Sequence, residues 1–308
     1  FSFDDWFIGS TVMSKGVPNK IKSLTKTFKY GDIQDLKSKI HKYKNQISCL
    51  IMEASTSECP LIAGKKGCCK KFKCTRNYKK NHYLKEVQKL CKENKIIFIL
   101  DETITGFRWH IKGAAHRYDL DPDLIIYGKA IANGFSVSVL AGKKKYMNHA
   151  NIIKKNHERT FLLSSTHGGE ISSLSAAEKT LEILKNSKTI ENIWSHGLKL
   201  TENINEISLS LGLQKNIFVS GVPCSPIINT VAQNSNSLKL RTMLIKELIN
   251  HNIFIPWVSI CGKHNDKNIY TIKNAFKKVL PKIRNALEIN FKKVYIGKTV
   301  KPVFRKYN

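Results

Sequence analysis

The residues best placed for chemistry are carboxylates and a lysine that follow short apolar runs. Glu53 ends the run QISCLIME, Asp101 and Glu102 follow KIIFIL, and Gly128 and Lys129 follow DLIIY. Short apolar runs rich in β-branched residues predict buried strands, and a helical pattern between two of them predicts a parallel sheet. In open α/β sheets, ligands bind beyond the carboxyl ends of the strands. We therefore expect these polar groups at one edge of a sheet.

A carboxylate and a lysine on neighbouring strand ends meet the requirements of a pyridoxal phosphate enzyme. The lysine amine forms a Schiff base with the cofactor aldehyde, and the carboxylate pairs with the protonated pyridine nitrogen. Each residue alone has an ordinary explanation, because a lysine after a glycine is usually solvated and a strand-end aspartate often caps a helix. The conjunction of Asp101 and Lys129 carries more weight, but the spacing by itself does not name the cofactor.

The elements that must position these groups are predicted from recurring apolar residues. Between the first two strands, one helical face is formed by Leu84, Val87, Leu90 and Cys91. A helix after Gly169 has a face formed by Leu174, Ala177, Leu181 and Leu184. The last helix, over about 267–291, has a face formed by Ile272, Phe276, Leu280, Ile283 and Leu287. Strands that alternate with helices predict an α/β fold.

The length of 308 residues is comfortable for two domains. Near residues 185–195 the pattern changes to longer amphipathic helices separated by short strands. We expect a large α/β domain with a mostly parallel sheet over residues 1–189. A smaller α+β domain is expected over residues 190–308.

The net charge of +29 is high, but most of the 52 basic residues are lysine rather than arginine. Arginine is the residue of bidentate phosphate and base recognition, so the charge is weak support for a nucleic-acid binder. A basic surface without a nucleic-acid partner is the favoured interpretation. No apolar run is long enough to predict a membrane helix, and no signal-peptide pattern opens the chain. We expect no membrane partner and a cytoplasmic location.

Eight cysteines show no C-x-x-C pairing and no matched histidine spacing, so we expect no metal site. Without an export signal, they are most simply reduced thiols. Several lie in a Cys- and Lys-rich insertion over about 56–80, which includes GKKGCCKKFKCTRNYKK. This segment could follow a phosphate backbone, but a solvated surface insertion is the more common outcome for such a charge run.

Three segments resemble the class III (subgroup II) pyridoxal phosphate-dependent aminotransferases: ILDETITGFRW at 99–109, DPDLIIYGKAIANGF at 121–135 and SSTHGGEISSLSAA at 164–177. This family includes the ω-aminotransferases and glutamate-1-semialdehyde aminomutase. The resemblance extends from DDWFIGSTVMSKGVP at 4–18 to the closing GKTVKPVFRKYN, and omits only the insertion. It implies a fold-type I pyridoxal phosphate-dependent transferase of the aminomutase-like branch.

The resemblance also implies roles for individual residues. Lys129 would be the Schiff-base lysine that also moves the substrate proton, and Asp101 would pair with the pyridine nitrogen. Thr103 stands where an apolar residue usually covers one ring face. Thr166 would bind the cofactor phosphate from the neighbouring subunit of a homodimer. Glu53 matches an acidic strand end near the cofactor, without a specified role.

The sequence departs from the family pattern in several places. Thr103 brings a hydroxyl that needs a partner, and Thr166 is followed by HGGE rather than the serine-glycine-asparagine-proline run usual in the aminomutase. The chain begins with Phe1, just after the point where the ring-stacking aromatic and the phosphate-binding turn are expected. We therefore expect a partial or truncated N-terminus that lacks much of the large domain.

The leading hypothesis is an aminotransferase that moves an amino group between an amine or amino acid and a keto or aldehyde acceptor. The intramolecular glutamate-1-semialdehyde 2,1-aminomutase is the alternative within enzymes. A catalytically lost, basic relative that binds polyanions is the alternative from another class. The charge, Thr103 and the missing front favour that last hypothesis, whereas the intact pair of Asp101 and Lys129 opposes it.

Overall fold

The computed structural model describes residues 5–55, 60, 82–151, 153, 155–156, 158, 160, 168–233, 235–294 and 297–302. Within these ranges the strands form a four-stranded sheet and a separate three-stranded sheet. The first sheet belongs to the N-terminal half of the chain and the second to the C-terminal half.

The four-stranded sheet consists of β1 (Cys49–Glu53), β2 (Ile97–Glu102), β3 (Leu124–Tyr127) and β4 (Val139–Gly142), in that spatial order. The pairings of β1 with β2 and of β2 with β3 are parallel, whereas β4 pairs antiparallel with β3. Parallel neighbours need a crossover connection. The connection between β1 and β2 contains α4 (Tyr83–Glu93).

The core beneath this sheet forms between α4 and β2. Leu84 and Val87 of α4 are fully buried, and so are Phe98 and Leu100 of β2. Each such side chain stabilises the fold by about 1.5–3 kcal/mol on burial. Helix α3 (Ile33–Lys42) packs against α4 from the other side. The predicted helix between the first two strands is thus confirmed.

Shorter helices surround the sheet. Helices α1 (Asp5–Gly9) and α2 (Asn19–Ser23) open the described chain. Helix α5 (Gly113–Arg117) lies between β2 and β3, and α6 (Lys144–Met147) follows β4. Helix α7 (Ile171–Asn186) contacts the turn after β3.

The apolar face predicted for α7 is only partly buried. Ala177 is 7% exposed and packs beside that turn, whereas Leu174 is 50% exposed. The described part of α7 thus meets the rest of the protein along a narrower stripe than its sequence predicts.

The C-terminal half combines a small antiparallel sheet with three long helices. The sheet contains β5 (Ile217–Val222), β6 (Ser225–Ala232) and β7 (Ser235–Asn236). Helix α8 (Thr189–Ser210) packs on β5, and α10 (Asp266–Val294) packs on α8. Helix α9 (Leu238–Ile249) packs on β6 and α10. This half therefore has an α+β arrangement.

Helix α8 approaches the connection between β5 and β6 very closely at Gly197. A Cβ atom at this position would collide with the carbonyl oxygen of Pro223. Only glycine leaves room for this approach of a helix to a turn.

The predicted domain division at residues 189 and 190 coincides with the start of α8, but a single core includes both Leu100 and Leu200. The division stays a prediction.

No helix in the described ranges has both the length and the apolar content needed to span a bilayer.

Candidate active site

The register of the first sheet brings the predicted strand-end groups to one edge. Glu53 at the end of β1 pairs with Asp101 of β2. Asp101 in turn pairs with Ile126 of β3, and the next pair joins Glu102 and Tyr127. Because Gly128 and Lys129 directly follow Tyr127, the lysine leaves the sheet beside the strand that carries Asp101.

Asp101 is held by the turn that follows β2. The backbone N–H of Thr103 donates to Asp101 Oδ1 at 2.9 Å. Within the described part of the chain, Oδ2 of Asp101 accepts no hydrogen bond, and the side chain is half-buried. The Asp101 carboxylate is therefore fixed through one oxygen and has a second oxygen available for a donor.

Thr103 also contacts the segment that carries the lysine. A Cβ atom added at Gly128 would lie 3.1 Å from Thr103 Cγ2, so the threonine methyl packs against this glycine. The turn after β2 and the turn after β3 thus touch through Thr103 and Gly128. This contact connects Asp101 to the backbone next to Lys129.

The backbone at Lys129 adopts an unusual conformation. Lys129 has φ +42° and opens a 3₁₀ turn over Lys129–Ile131. The left-handed region costs a residue with a side chain on the order of 1–3 kcal/mol, and such strain concentrates at functional sites. The N–H groups of Ile131 and Asn133 donate to Gly128 O at 3.1 Å and to Lys129 O at 3.2 Å. These bonds hold the strained turn, while Lys129 itself is exposed.

A small hydrophobic cluster packs the turn at Lys129 against α7. Ile131, Ala132 and Ala177 form its buried centre, so the turn is fixed to α7. Phe107 and Tyr127 pack at its margin, with their ring centroids 5.2 Å apart. Two of the segments singled out in the sequence, those around residues 107 and 129, therefore share this cluster. Burial raises the pKa of the Tyr127 hydroxyl to about 12, so that it stays neutral.

The contacts of Glu102 indicate a structural role rather than a catalytic one. Its carboxylate is fully buried and accepts from the N–H groups of Ala114 at 2.6 Å and Ala115 at 2.8 Å, and from Thr105 Oγ1 at 3.1 Å. Gly113, at φ +80°, has no Cβ to displace this carboxylate. Burial raises the pKa of the Glu102 carboxyl, while the three donors oppose that change. Glu102 thus ties the turn after β2 to the start of α5.

Arg108 joins this turn to the C-terminal half. Its Nη1 and Nη2 atoms donate to Ile260 O at 2.7 and 2.8 Å, and Nη2 donates to Ser259 Oγ at 3.1 Å. The carbonyl of Arg108 accepts from Trp194 Nε1 at 3.2 Å. The ring of Trp194 in turn lies 3.8 Å from the guanidinium of Arg117. This network holds the candidate site against α8 and the segment before α10.

The structure assembles several of the predicted site residues and leaves others undescribed. Glu53, Asp101, Thr103 and Lys129 all lie at the same edge of the sheet. Thr166 lies outside the described residues. The predicted insertion also lies outside them, except for Pro60. The roles of the five residues stay predictions.

Sequence analysis missed two features, one at the site and one outside it. Arg108 stands in the run TGFR, but no local signal connects it to Ile260. The pairing of Cys261 with His264 was also overlooked: Sγ of Cys261 lies 3.2 Å from Nδ1 of His264. The C-x-x-H spacing at 261–264 was the available signal.

Among the described residues, no group of three or more histidine, cysteine or acidic side chains could hold a metal ion. Cys49, Cys91, Cys224 and Cys261 are free thiols.

Comparison with known families identifies this edge of the sheet as part of a known architecture. Residues 16–239 match the family described as aminotransferase class-III. The chain belongs to the class-III aminotransferase family. The match includes the strand-end turns with Asp101, Thr103 and Lys129.

The curated relatives carry two different activities in their names. The chain is 27% identical over 292 residues to a 3-aminobutyryl-CoA aminotransferase from Cloacimonas acidaminovorans, covering 93% of this chain and 65% of that protein. It is 26% identical over 252 residues to a glutamate-1-semialdehyde 2,1-aminomutase from Hyperthermus butylicus, covering 79% of this chain and 54% of that protein. The chain thus spans between about half and two thirds of the length of these relatives.

Solved structures of a transaminase and an aminotransferase share the fold. An omega-transaminase from Sphaerobacter thermophilus superposes with a TM-score of 0.71 at 16% identity, covering 88% of this chain and 60% of that one. An ornithine aminotransferase from Plasmodium yoelii gives a TM-score of 0.63 at 19% identity, covering 84% of this chain and 63% of that one. The expected α/β fold of the pyridoxal phosphate-dependent transferases is therefore confirmed.

Proposed function

We propose that this protein is a pyridoxal phosphate-dependent aminotransferase that moves an amino group between an amine or amino acid and a carbonyl acceptor. The observation that carries the proposal is the contact of Thr103 with Gly128, which couples the turn of Asp101 to the turn of Lys129. An anchored carboxylate and an exposed lysine at the carboxyl edge of a parallel sheet are the two groups that this cofactor requires.

The residues present fit the cofactor chemically. Asp101 has a carboxylate oxygen that accepts no hydrogen bond within the described chain, which suits a protonated ring nitrogen. The amine of Lys129 is exposed and can reach an aldehyde. The Thr103 methyl, already packed on Gly128, offers an apolar surface next to both. We propose that Asp101, Thr103 and Lys129 hold the cofactor, with Glu53 beside them.

Pyridoxal phosphate, when bound, supplies an electron sink for the substrate carbanion. In our proposal, Asp101 keeps the ring nitrogen protonated, which the sink needs. The Lys129 amine would hold the cofactor and would move a proton at the substrate carbon. The hydrogen-bonded turn at Lys129 and the buried cluster of Ile131, Ala132 and Ala177 fix the backbone from which that amine extends. Glu102 keeps the preceding turn in place without touching the reacting atoms.

The alternative activity is an intramolecular amino transfer on glutamate-1-semialdehyde. It is favoured by the relatives that are named as aminomutases. It is opposed by HGGE at 167–170, where the aminomutase pattern differs. We propose the aminotransferase because the first relative, which is matched over 93% of this chain, is named as one.

We also propose a homodimer in the cytoplasm, with Thr166 of a second copy at the cofactor phosphate. Helix α7 has exposed apolar side chains, including Ile171 at 81% and Ile183 at 51%. This apolar surface supports the homodimer, because a second copy would cover it. The free thiols of the four described cysteines support a reducing compartment. The large and small domains are proposed to divide at residues 189 and 190.

The test of function supplies the protein with pyridoxal phosphate, an amine donor and a keto acid, and measures the new amino acid by mass spectrometry. We expect amino transfer to the added keto acid, and no transfer by Lys129→Ala. Lys144→Ala, which removes a nearby exposed lysine, is the matched control. If keto acids never accept the amino group while glutamate-1-semialdehyde rearranges, the protein is an aminomutase. If neither reaction occurs and the protein binds polyanions, it is the catalytically lost relative.

A further inference from the structure

An exposed thiol with a histidine partner lies outside the candidate active site. Cys261 is exposed, and its Sγ lies 3.2 Å from Nδ1 of His264. Both residues belong to the turn before α10, which is closed by a hydrogen bond from the His264 N–H to the Cys261 carbonyl at 3.1 Å. The turn therefore fixes the distance between the thiol and the imidazole.

The hydrogen bonding of this turn defines the state of the imidazole. The backbone N–H of Cys261 donates to His264 Nδ1 at 3.0 Å. Since a backbone amide only donates, Nδ1 carries its lone pair and the ring proton is on Nε2 in the neutral form. The thiol, at 3.2 Å, faces the same Nδ1 lone pair. The two donors therefore share one acceptor, and transfer of the thiol proton to Nδ1 replaces the hydrogen bond from the backbone N–H.

The other described cysteines lack this arrangement. Cys91 and Cys224 are buried, and burial raises the pKa of each thiol, to about 12 for Cys91. Cys49 is exposed as a residue, but partial burial raises the pKa of its thiol, and it has no hydrogen bond to any histidine that the structure describes. A thiolate is the nucleophile in exchange reactions, so these differences separate the four thiols in reactivity.

We propose that Cys261 and His264 form a site of thiol–disulfide exchange with small-molecule disulfides. In this step, His264 Nδ1 takes the Sγ proton and the thiolate attacks one sulfur of the disulfide. A new Sγ–S bond forms, the original S–S bond breaks, and the departing thiolate takes the proton from the imidazolium. Cys261 is oxidised to a mixed disulfide, and the small molecule is reduced to one thiol. No metal or active-site cofactor takes part.

The position of the site gives such a modification a structural consequence. The carbonyl of Ile260, directly before Cys261, accepts two hydrogen bonds from Arg108. A group attached to Cys261 therefore lies one residue from the contact that holds the turn after β2 against the C-terminal half.

The experiment treats the whole protein, without added cofactor, with dithiodipyridine, a neutral disulfide. Peptide mapping by mass spectrometry follows the modification of Cys261 and Cys49 over time. We expect Cys261 to react about tenfold or more faster than Cys49. His264→Gln should slow Cys261 by about tenfold and leave Cys49 unchanged. His41→Gln, which removes an exposed histidine of α3, is the matched control and should change neither rate.

Two results would overturn the proposal: equal rates for Cys261 and Cys49, or an unchanged Cys261 rate in His264→Gln. A second measurement does not depend on any variant. In the urea-unfolded protein the imidazole no longer faces the thiol, so the ratio of the two rates should fall to about one. A ratio that persists after unfolding would assign the reactivity to local sequence rather than to this geometry. Because no cofactor is present, these outcomes are independent of the proposed aminotransferase activity.

Discussion

Thr103 packs its methyl group against Gly128, so that a Cβ atom at position 128 would lie 3.1 Å from Thr103 Cγ2. The contact joins the turn that carries Asp101 to the turn that carries Lys129. Gly128 has an extended backbone, with φ −165°, which any residue can adopt. The need for glycine at this position is therefore a matter of space rather than of backbone conformation.

Gly128→Ala should lower the free energy of unfolding by about 1 kcal/mol, because the new methyl presses on Thr103. Urea unfolding followed by tryptophan fluorescence measures the change. Adding Thr103→Ser removes the opposing methyl, so the double variant should recover about half of the loss or more. Strictly additive losses would show that the two residues do not interact in this way.

Glu102→Gln should destabilise the protein by about 2 kcal/mol or more, because the amide replaces one of two oxygens that accept from the backbone N–H groups of Ala114 and Ala115. Glu86→Gln is the matched control, since Glu86 forms an exposed ion pair with Lys37. Loss of this ion pair should lower the free energy of unfolding by less than about 1 kcal/mol. Equal effects of the two substitutions on the urea midpoint would contradict the structural role of Glu102.

Arg108→Lys should also be destabilising, by about 1–3 kcal/mol, because an ammonium cannot reproduce the hydrogen bonds of both guanidinium nitrogens to Ile260 and Ser259. Arg284→Lys provides the comparison, since Arg284 forms an exposed pair with Glu288 on the same helix. Thermal unfolding of both variants checks the prediction. If Arg108→Lys lowers the Tm no more than Arg284→Lys does, the contact of Arg108 with Ile260 and Ser259 contributes little to stability.

Acid should destabilise the protein in part through His82. Its Nε2 lies 3.2 Å from the Tyr118 carbonyl, and burial lowers its pKa below the usual 6.5. Between that lowered pKa and 6.5, the unfolded chain binds more protons than the folded one, so stability falls as the pH falls through this window. Urea midpoints at about pH 5.5 and about pH 7.5 should therefore differ. His82→Gln should reduce the difference, and an unchanged difference would rule His82 out.

Sequence patterns predicted the strands and helices of the site well where apolar residues form a continuous run or one face of a helix. The run LIIY predicted β3 with both of its ends, and the helix with Leu84 and Val87 is α4. Strand β1 is shorter than the run that predicts it, because pairing with β2 begins only at Cys49. The edge strand β4 had no signal, since its short segment VLAG is mostly exposed and shows no alternation.

The contacts that assemble the site could be predicted only in part. Strand ends at one sheet edge follow from parallel pairing, so Asp101 and Lys129 were expected to be near each other. The contact of Thr103 with Gly128 depends on how two turns pack, and the bonds of Arg108 reach residues about 150 positions away in the sequence. Such relationships are set by tertiary packing, which periodicity and local motifs do not encode.

The most direct test of the central claim is the identity of the lysine that binds the cofactor. The protein is incubated with pyridoxal phosphate, reduced with borohydride, digested and mapped by mass spectrometry. We predict that the pyridoxyl group is on Lys129 in preference to the exposed Lys144 and Lys145. Asp101→Asn should weaken that preference, because the ring nitrogen loses its charged partner. A pyridoxyl group on other lysines, with Lys129 unmodified, would contradict the account.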